Sequence, residues 1–293
     1  MEKTLIFKGV ATALITPFRN GAIDFDALRR IIDLQIDSGI EALVIGGTTG
    51  EAAVLSPRER CELYVKACEI TDGRARVIAG VGTNDTRTTI EYAEMARSAG
   101  ANALLAVTPY YNKGTNDGLV YHYLSLANST DLPIILYNVP SRTGVNLPIE
   151  TIDKLSHNER ISAIKEATDS LDRLTALSAL AERITLYSGN DSQIYPTLSL
   201  GGMGIISVAS NAIPTLIKRI CDEYFSGNLR EALMLQRRVL RLVNSLFTET
   251  NPSPIKALMN ALGYCSGEIR LPLSEADEKT RELVLDEYRR LVN

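Results

Sequence analysis

The amino-acid sequence predicts an α/β fold, a (β/α)8 TIM barrel carrying a C-terminal helical extension, and three observations predict it. Eight short apolar runs of β-forming composition recur across residues 1–225. Amphipathic stretches of helical period separate them. Residues 226–293 then read as helix alone.

The runs are VATALIT (10–16), ALVIGG (42–47), RVIAGVG (76–82), ALLAVTP (103–109), PIILYNVP (133–140), ISAIKE (161–166), ITLYSG (184–189) and GIISVAS (204–210). They are continuously apolar rather than alternating, so both faces of the sheet are expected to be covered. Strand and helix alternate, which calls for parallel strands, and eight such units is the number that closes a barrel. An open, doubly wound sheet is the rival, and it would want a G-x-G-x-x-G turn after an early strand. The sequence contains none.

Helix signals agree. In DFDALRRIIDLQIDSG, Leu28, Ile31, Ile32 and Ile36 fall on one helical face, with Asp24 as N-cap and Gly39 past the end. Ser56 and Glu59 form a capping box around Pro57 at the first helical position. Beyond the barrel, NLREALMLQRRVLRLVNSLF, PIKALMNALG and SEADEKTRELVLDEYRRLV read as amphipathic helices joined by short turns. The expected division is a barrel carrying the active site over 1–225 and a helical region packed on it over 226–293.

Composition narrows the function classes. The chain has 293 residues, 45% of them hydrophobic, and a net charge of -4 from 31 basic and 35 acidic residues. That balance speaks against nucleic acid or an anionic membrane as partner. No apolar run approaches the roughly 18 residues of a membrane span, and MEKTLIFKGV lacks the apolar core of a signal peptide. Cys61, Cys68, Cys221 and Cys265 include no C-x-x-C pair and are read as reduced, which fits the cytoplasm. His122 and His157 are the only histidines. His157 sits in a polar turn and His122 in a helix, where it is expected to be packing. No metal site, no added cofactor and no Ser-His-Asp chemistry are therefore expected. Lys, Tyr, Thr, Arg or carboxylates must carry any catalysis.

In a barrel of this kind, function lies in the loops at the C-terminal ends of the strands. Those ends hold GGTTGE (46–51), TPYYN (108–112), YNVPSRTG (137–144), KEAT (165–168), SGND (188–191) and SVASN (207–211). Lys165 is the anomaly, a lysine that closes an apolar strand. Taken alone it reads as a strand end in water. An ammonium held from water is costly unless it is paired or neutralised, and a neutral amine is the nucleophile of Schiff-base chemistry. Tyr137, at the top of the preceding strand, offers a phenol for proton transfer. The glycines of GGTTGE let backbone N–H groups approach a carboxylate, and its threonines supply hydroxyls. Arg142 offers a two-pronged cation for a second carboxylate.

GGTTGE, TPYYN, YNVPSRTG and IKEAT, together with NPSPIKALMNALG in the tail, resemble the 4-hydroxy-tetrahydrodipicolinate (dihydrodipicolinate) synthases. These belong to the pyruvate-dependent lyase superfamily that includes N-acetylneuraminate lyase. The resemblance spans nearly the whole chain, and PSRTG separates it from the neuraminate lyases, which lack that arginine. It implies that Lys165 forms an imine with pyruvate. Tyr137, Thr48 and Tyr111 would relay protons, with Tyr111 crossing a dimer interface. Thr48 and Thr49 would hold the pyruvate carboxylate, and Arg142 that of L-aspartate 4-semialdehyde. Gly189 and Ile206 match pocket positions on the seventh and eighth strands. The implied assembly is a homo-oligomer, a tetramer built as a dimer of dimers. Relatives inhibited by lysine bind it with a histidine and a glutamate. The matching positions here are Arg60 and Thr88, with Asn84 and Tyr110 retained, so weak or absent inhibition is expected. The alternatives are a sister aldolase acting on a sugar-derived 2-keto acid, which Arg142 disfavours, and a keto-acid sensor without turnover, which would not need an imine-forming amine.

Overall fold

The structure is a computed structural model and describes residues 4–293. Eight strands close a barrel: β1 (Gly9–Ala13), β2 (Ala42–Ile45), β3 (Arg76–Gly80), β4 (Ala103–Val107), β5 (Ile134–Asn138), β6 (Ile161–Glu166), β7 (Thr185–Ser188) and β8 (Gly204–Ser207). Every neighbouring pair is parallel, and β1 completes the ring between β8, at Gly9 opposite Gly204, and β2, at Ala11 opposite Ala42.

The continuous apolar runs now have a physical reason. On β6, Ala163 packs in a cluster inside the barrel with Ile135 and Ile206, while Ile164 packs outward among the helices, and a register shift against β5 lets Ile161 pack outward as well. Side chains alternate between two buried faces, so no polar alternation is left to see. The strands stop two or three residues before most of the runs do. Past those points the chain leaves the ladder to form the loops above the barrel.

The local signals hold. Asp24 caps the helix Phe25–Asp37 by accepting from Ala27 N at 2.9 Å, and Gly39 follows it at φ +77°. Ser56 and Glu59 form the capping box of the helix Pro57–Thr71. The three tail helices are Leu229–Ser245, Ser253–Ala261 and Glu278–Val292. The last starts later than SEADEKTRELVLDEYRRLV implies, because Asp277 accepts from Thr280 N and so caps the helix there. Residues 262–277 are a longer irregular connection than the short turn expected.

A small ribbon was not expected. Phe18–Arg19 pairs with Ala22–Ile23 across Asn20 (φ +54°) and Gly21 (φ +80°). Asn-Gly is the strongest short hairpin signal, because both residues tolerate positive φ. Among the described residues no helix is long and apolar enough to cross a membrane, and no cluster of metal-ligating side chains occurs. All four cysteines are free, with Cys221 and Cys265 buried and Cys61 and Cys68 half-buried.

Candidate active site

Lys165 ends the inward face of β6, one pleat above Ala163. It stands opposite Tyr137 of β5 and Tyr187 of β7. It is only 5% exposed, and its Nζ makes no hydrogen bond or close ion pair among the described residues. Instead Nζ lies 4.4 Å from the centre of the Tyr137 ring. The contact is with the ring face, so the amine and the phenol oxygen are neighbours without being bonded. Asp191 is a carboxylate that feels the charge of Lys165. It is buried and held by Ser207 Oγ and the backbone N–H groups of Val208 and Ala209. Burial pushes its carboxyl up, against the pull of those donors and of Lys165.

Lys165 faces a cavity of about 620 Å3 lined also by Thr48, Thr49, Tyr137, Arg142 and Gly189. Gly189 has no room for a side chain: a Cβ would stand 2.7 Å from Ala167 Cβ and 2.9 Å from Glu166 O. Its N–H donates to Glu166 O at 2.7 Å, tying the ends of β6 and β7 together.

The outward neighbour of Lys165 builds the next loop. Glu166 is fully buried and accepts from Asn138 Nδ2 at 2.8 Å and Arg173 Nε at 2.9 Å. Burial raises its carboxyl above the usual range, and Arg173 and Asn138 oppose that. Asn138 Oδ1 accepts in turn from Leu147 N at 2.9 Å. The segment that carries Arg142 is thus pinned at both ends. Arg142 is exposed at the cavity and donates from Nη2 to Asn251 O at 3.0 Å.

Two predicted residues stand elsewhere. Ile206 is fully buried among the barrel-interior residues and does not line the cavity, whereas Val208, just past the end of the same strand, does. Tyr111 is 88% exposed, away from the cavity, in the left-handed region at φ +72°. An aromatic residue adopts that conformation only under constraint. Within one chain, therefore, Thr48 and Tyr137 share a cavity and Tyr111 does not join them.

One wall was missed altogether. Residues 247–251, past the expected end of the barrel, line the cavity. Asn251 donates from Nδ2 to Thr49 Oγ1 at 3.0 Å while its carbonyl receives Arg142. The signal was the polar TETN break between two amphipathic helices, away from the strand ends.

A second cavity of about 330 Å3 adjoins the first, sharing Thr48, Tyr137, Val139, Arg142 and Asn251 and adding Arg60, Tyr110 and Glu51.

The dihydrodipicolinate synthetase family matches the chain over residues 6–288. The chain belongs to that family. Its similarity to the 4-hydroxy-tetrahydrodipicolinate synthase of Alkaliphilus oremlandii is 44% identity over 97% of this chain and 99% of the relative. The dihydrodipicolinate synthase structure from Thermotoga maritima superposes with a TM-score of 0.96 at 41% identity, covering 98% of this chain and 99% of that one. A family structure from Cyanidioschyzon merolae, which has lysine bound, gives a TM-score of 0.95 at 35% identity over 99% of both chains. At these identities and coverages the dihydrodipicolinate synthetase resemblance extends from the barrel through the tail helices.

Proposed function

We propose that this chain is a lyase that condenses pyruvate with L-aspartate 4-semialdehyde to 4-hydroxy-tetrahydrodipicolinate, in the diaminopimelate route to lysine. One observation carries the reading. Lys165 Nζ is buried and unbonded against Tyr137, in a cavity that also presents two threonines and an arginine. Membership of the family supports it.

Lys165 Nζ adds to the pyruvate ketone, and loss of water gives the imine. Loss of a methyl proton turns the imine into an enamine. Its nucleophilic carbon attacks the aldehyde of the second substrate, whose oxygen takes up a proton and becomes the hydroxyl. The amine of that substrate then adds to the imine carbon, closes the ring and expels Lys165 as free amine. Tyr137 and Thr48 move the protons. Thr48 and Thr49 receive the pyruvate carboxylate, and Gly189 lets the backbone approach the substrate. Ile206 supports the site from the layer below. Arg142 pairs with the carboxylate of the semialdehyde.

The same reading makes the enzyme a cytoplasmic homotetramer built as a dimer of dimers, with Tyr111 completing the relay in a second copy. The exposure and backbone conformation of Tyr111 support that part. The tail, residues 226–293, is read as a helical region packed on the barrel that supplies one wall of the site.

The test is borohydride reduction in the presence of pyruvate, followed by peptide mass spectrometry. A reduced pyruvate adduct on the peptide containing Lys165, suppressed by L-aspartate 4-semialdehyde, is expected. An unmodified Lys165 in folded protein would overturn the reading.

A further inference from the structure

Thr49 and Arg142 each meet a carboxylate in the reaction proposed above, and one residue of the tail holds both. Asn251 follows the helix Leu229–Ser245 and is 4% exposed. Its Nδ2 donates to Thr49 Oγ1 at 3.0 Å, and its backbone carbonyl accepts from Arg142 Nη2 at 3.0 Å. All three residues line the cavity that Lys165 faces.

The Asn251 side chain makes this one hydrogen bond and no other among the described residues, since its Oδ1 is buried without a donor. A buried amide with one end unsatisfied stabilises a fold little, because the desolvation of the orphan end offsets the bond made at the other. What the bond does is set the direction of the Thr49 hydroxyl. A hydroxyl has one hydrogen to give and lone pairs that accept, whereas an amide nitrogen only donates. Thr49 Oγ1 therefore accepts from Asn251, and its own hydrogen points elsewhere. Thr49 is 2% exposed, and its hydroxyl donates to no acceptor among the described residues. That hydrogen is left for a ligand in the cavity.

We propose that Asn251 is a positioning residue that turns the Thr49 hydroxyl toward the carboxylate of pyruvate and, through its carbonyl, holds Arg142 in place for the carboxylate of the second substrate. The proposal rests on the lyase reading. Arg142 gives one of its five N–H groups to Asn251 and keeps the others for a two-oxygen anion. The helical tail thereby gains a part in the reaction. A residue 202 positions from Thr49 and 109 from Arg142 ties together the two groups that receive the two substrates.

Borohydride trapping at Lys165, measured in the full chain across a range of pyruvate concentrations, tests the role. Asn251→Ala is expected to raise the half-saturating pyruvate concentration by roughly tenfold or more and to leave the limiting rate within about twofold. A merely structural residue would lower the limiting rate as well. Thr49→Val should have the same effect. Adding Asn251→Ala to Thr49→Val should cost nothing further, because the two side chains act as one unit. Asn251→Asp keeps the size and only accepts, so it draws the Thr49 hydrogen away from the cavity. It is expected to weaken pyruvate at least as much, and it decides the matter if Asn251→Ala does not fold. The backbone carbonyl remains in both variants, so Arg142 keeps its partner. Unchanged half-saturation in Asn251→Asp, a loss in the limiting rate alone, or single effects that multiply in the double variant would each overturn the proposal. Trapping in the parent is scored first. An unmodified Lys165 there sinks the lyase reading, whereas a trapped parent with unchanged variants sinks only the role of Asn251.

Discussion

Glu51 and Lys256 form an ion pair 2.5 Å apart with neither side chain touching water, and it joins the GGTTGE loop to the tail. Glu51 needs the help, since it closes that loop in the left-handed conformation at φ +55°. Its other oxygen accepts from Arg270 N at 3.1 Å. Lys256→Met strands the buried carboxylate, which costs about 3–5 kcal/mol. Urea denaturation is expected to show that loss, and Glu51→Gln added to Lys256→Met is expected to recover much of it. A single variant as stable as the parent would mean that the pair contributes nothing.

Gly189→Ala is expected to act on Lys165 through the backbone. The new Cβ meets Ala167 Cβ at 2.7 Å and Glu166 O at 2.9 Å, on the two residues that follow Lys165. Overpacking of this kind costs about 1–3 kcal/mol. A displacement of about 1 Å at a reacting group costs about a hundredfold in rate. The borohydride trapping rate should therefore fall much further than a modest drop in melting temperature explains. An unchanged trapping rate would show that the strand end adjusts without moving the amine.

The acid limb of stability has an identifiable contributor in Glu59. Arg270 bonds to it and, together with the Ser56 cap, holds its carboxyl down from 4.5 to about 2 against the effect of burial. The folded form therefore binds the proton less readily than the unfolded chain. The stability this contributes is complete above pH 4.5 and is lost as pH falls toward about 2. Urea midpoints of Glu59→Gln should vary less across that window than those of the parent. Equal slopes would assign the acid sensitivity to other groups.

The barrel was legible because it is built from repeated local signals. Each strand is an apolar run buried on both faces, and each helix carries its own cap, as Asp24 and Ser56 do. Lys165 and Tyr137 were legible for a related reason, since strand register alone sets them side by side. Asn251 was not legible. Its contact with Thr49 spans 202 positions and depends on how the tail folds back, which no local pattern encodes. Ile206 matched a known pocket position, yet its side chain packs one layer below the cavity.

L-Lysine is expected not to inhibit this enzyme. The resemblance puts Arg60 and Thr88 where lysine-sensitive relatives have a histidine and a glutamate. Arg60 is a buried cation, and an ammonium brought within about 4 Å of it is disfavoured by about 4 kcal/mol at an effective dielectric constant of about 20. That is nearly three decades in affinity. Thr88 is neutral and offers no compensating charge, and its hydroxyl is taken up by Asp85 Oδ2 at 2.6 Å, within the cap of its own helix. Initial rates should hold steady as L-lysine is raised into the millimolar range, and half-inhibition below millimolar would contradict the argument. Arg60→His combined with Thr88→Glu removes the permanent cation and adds a carboxylate, so the double variant is expected to gain sensitivity to L-lysine that neither single change confers in full.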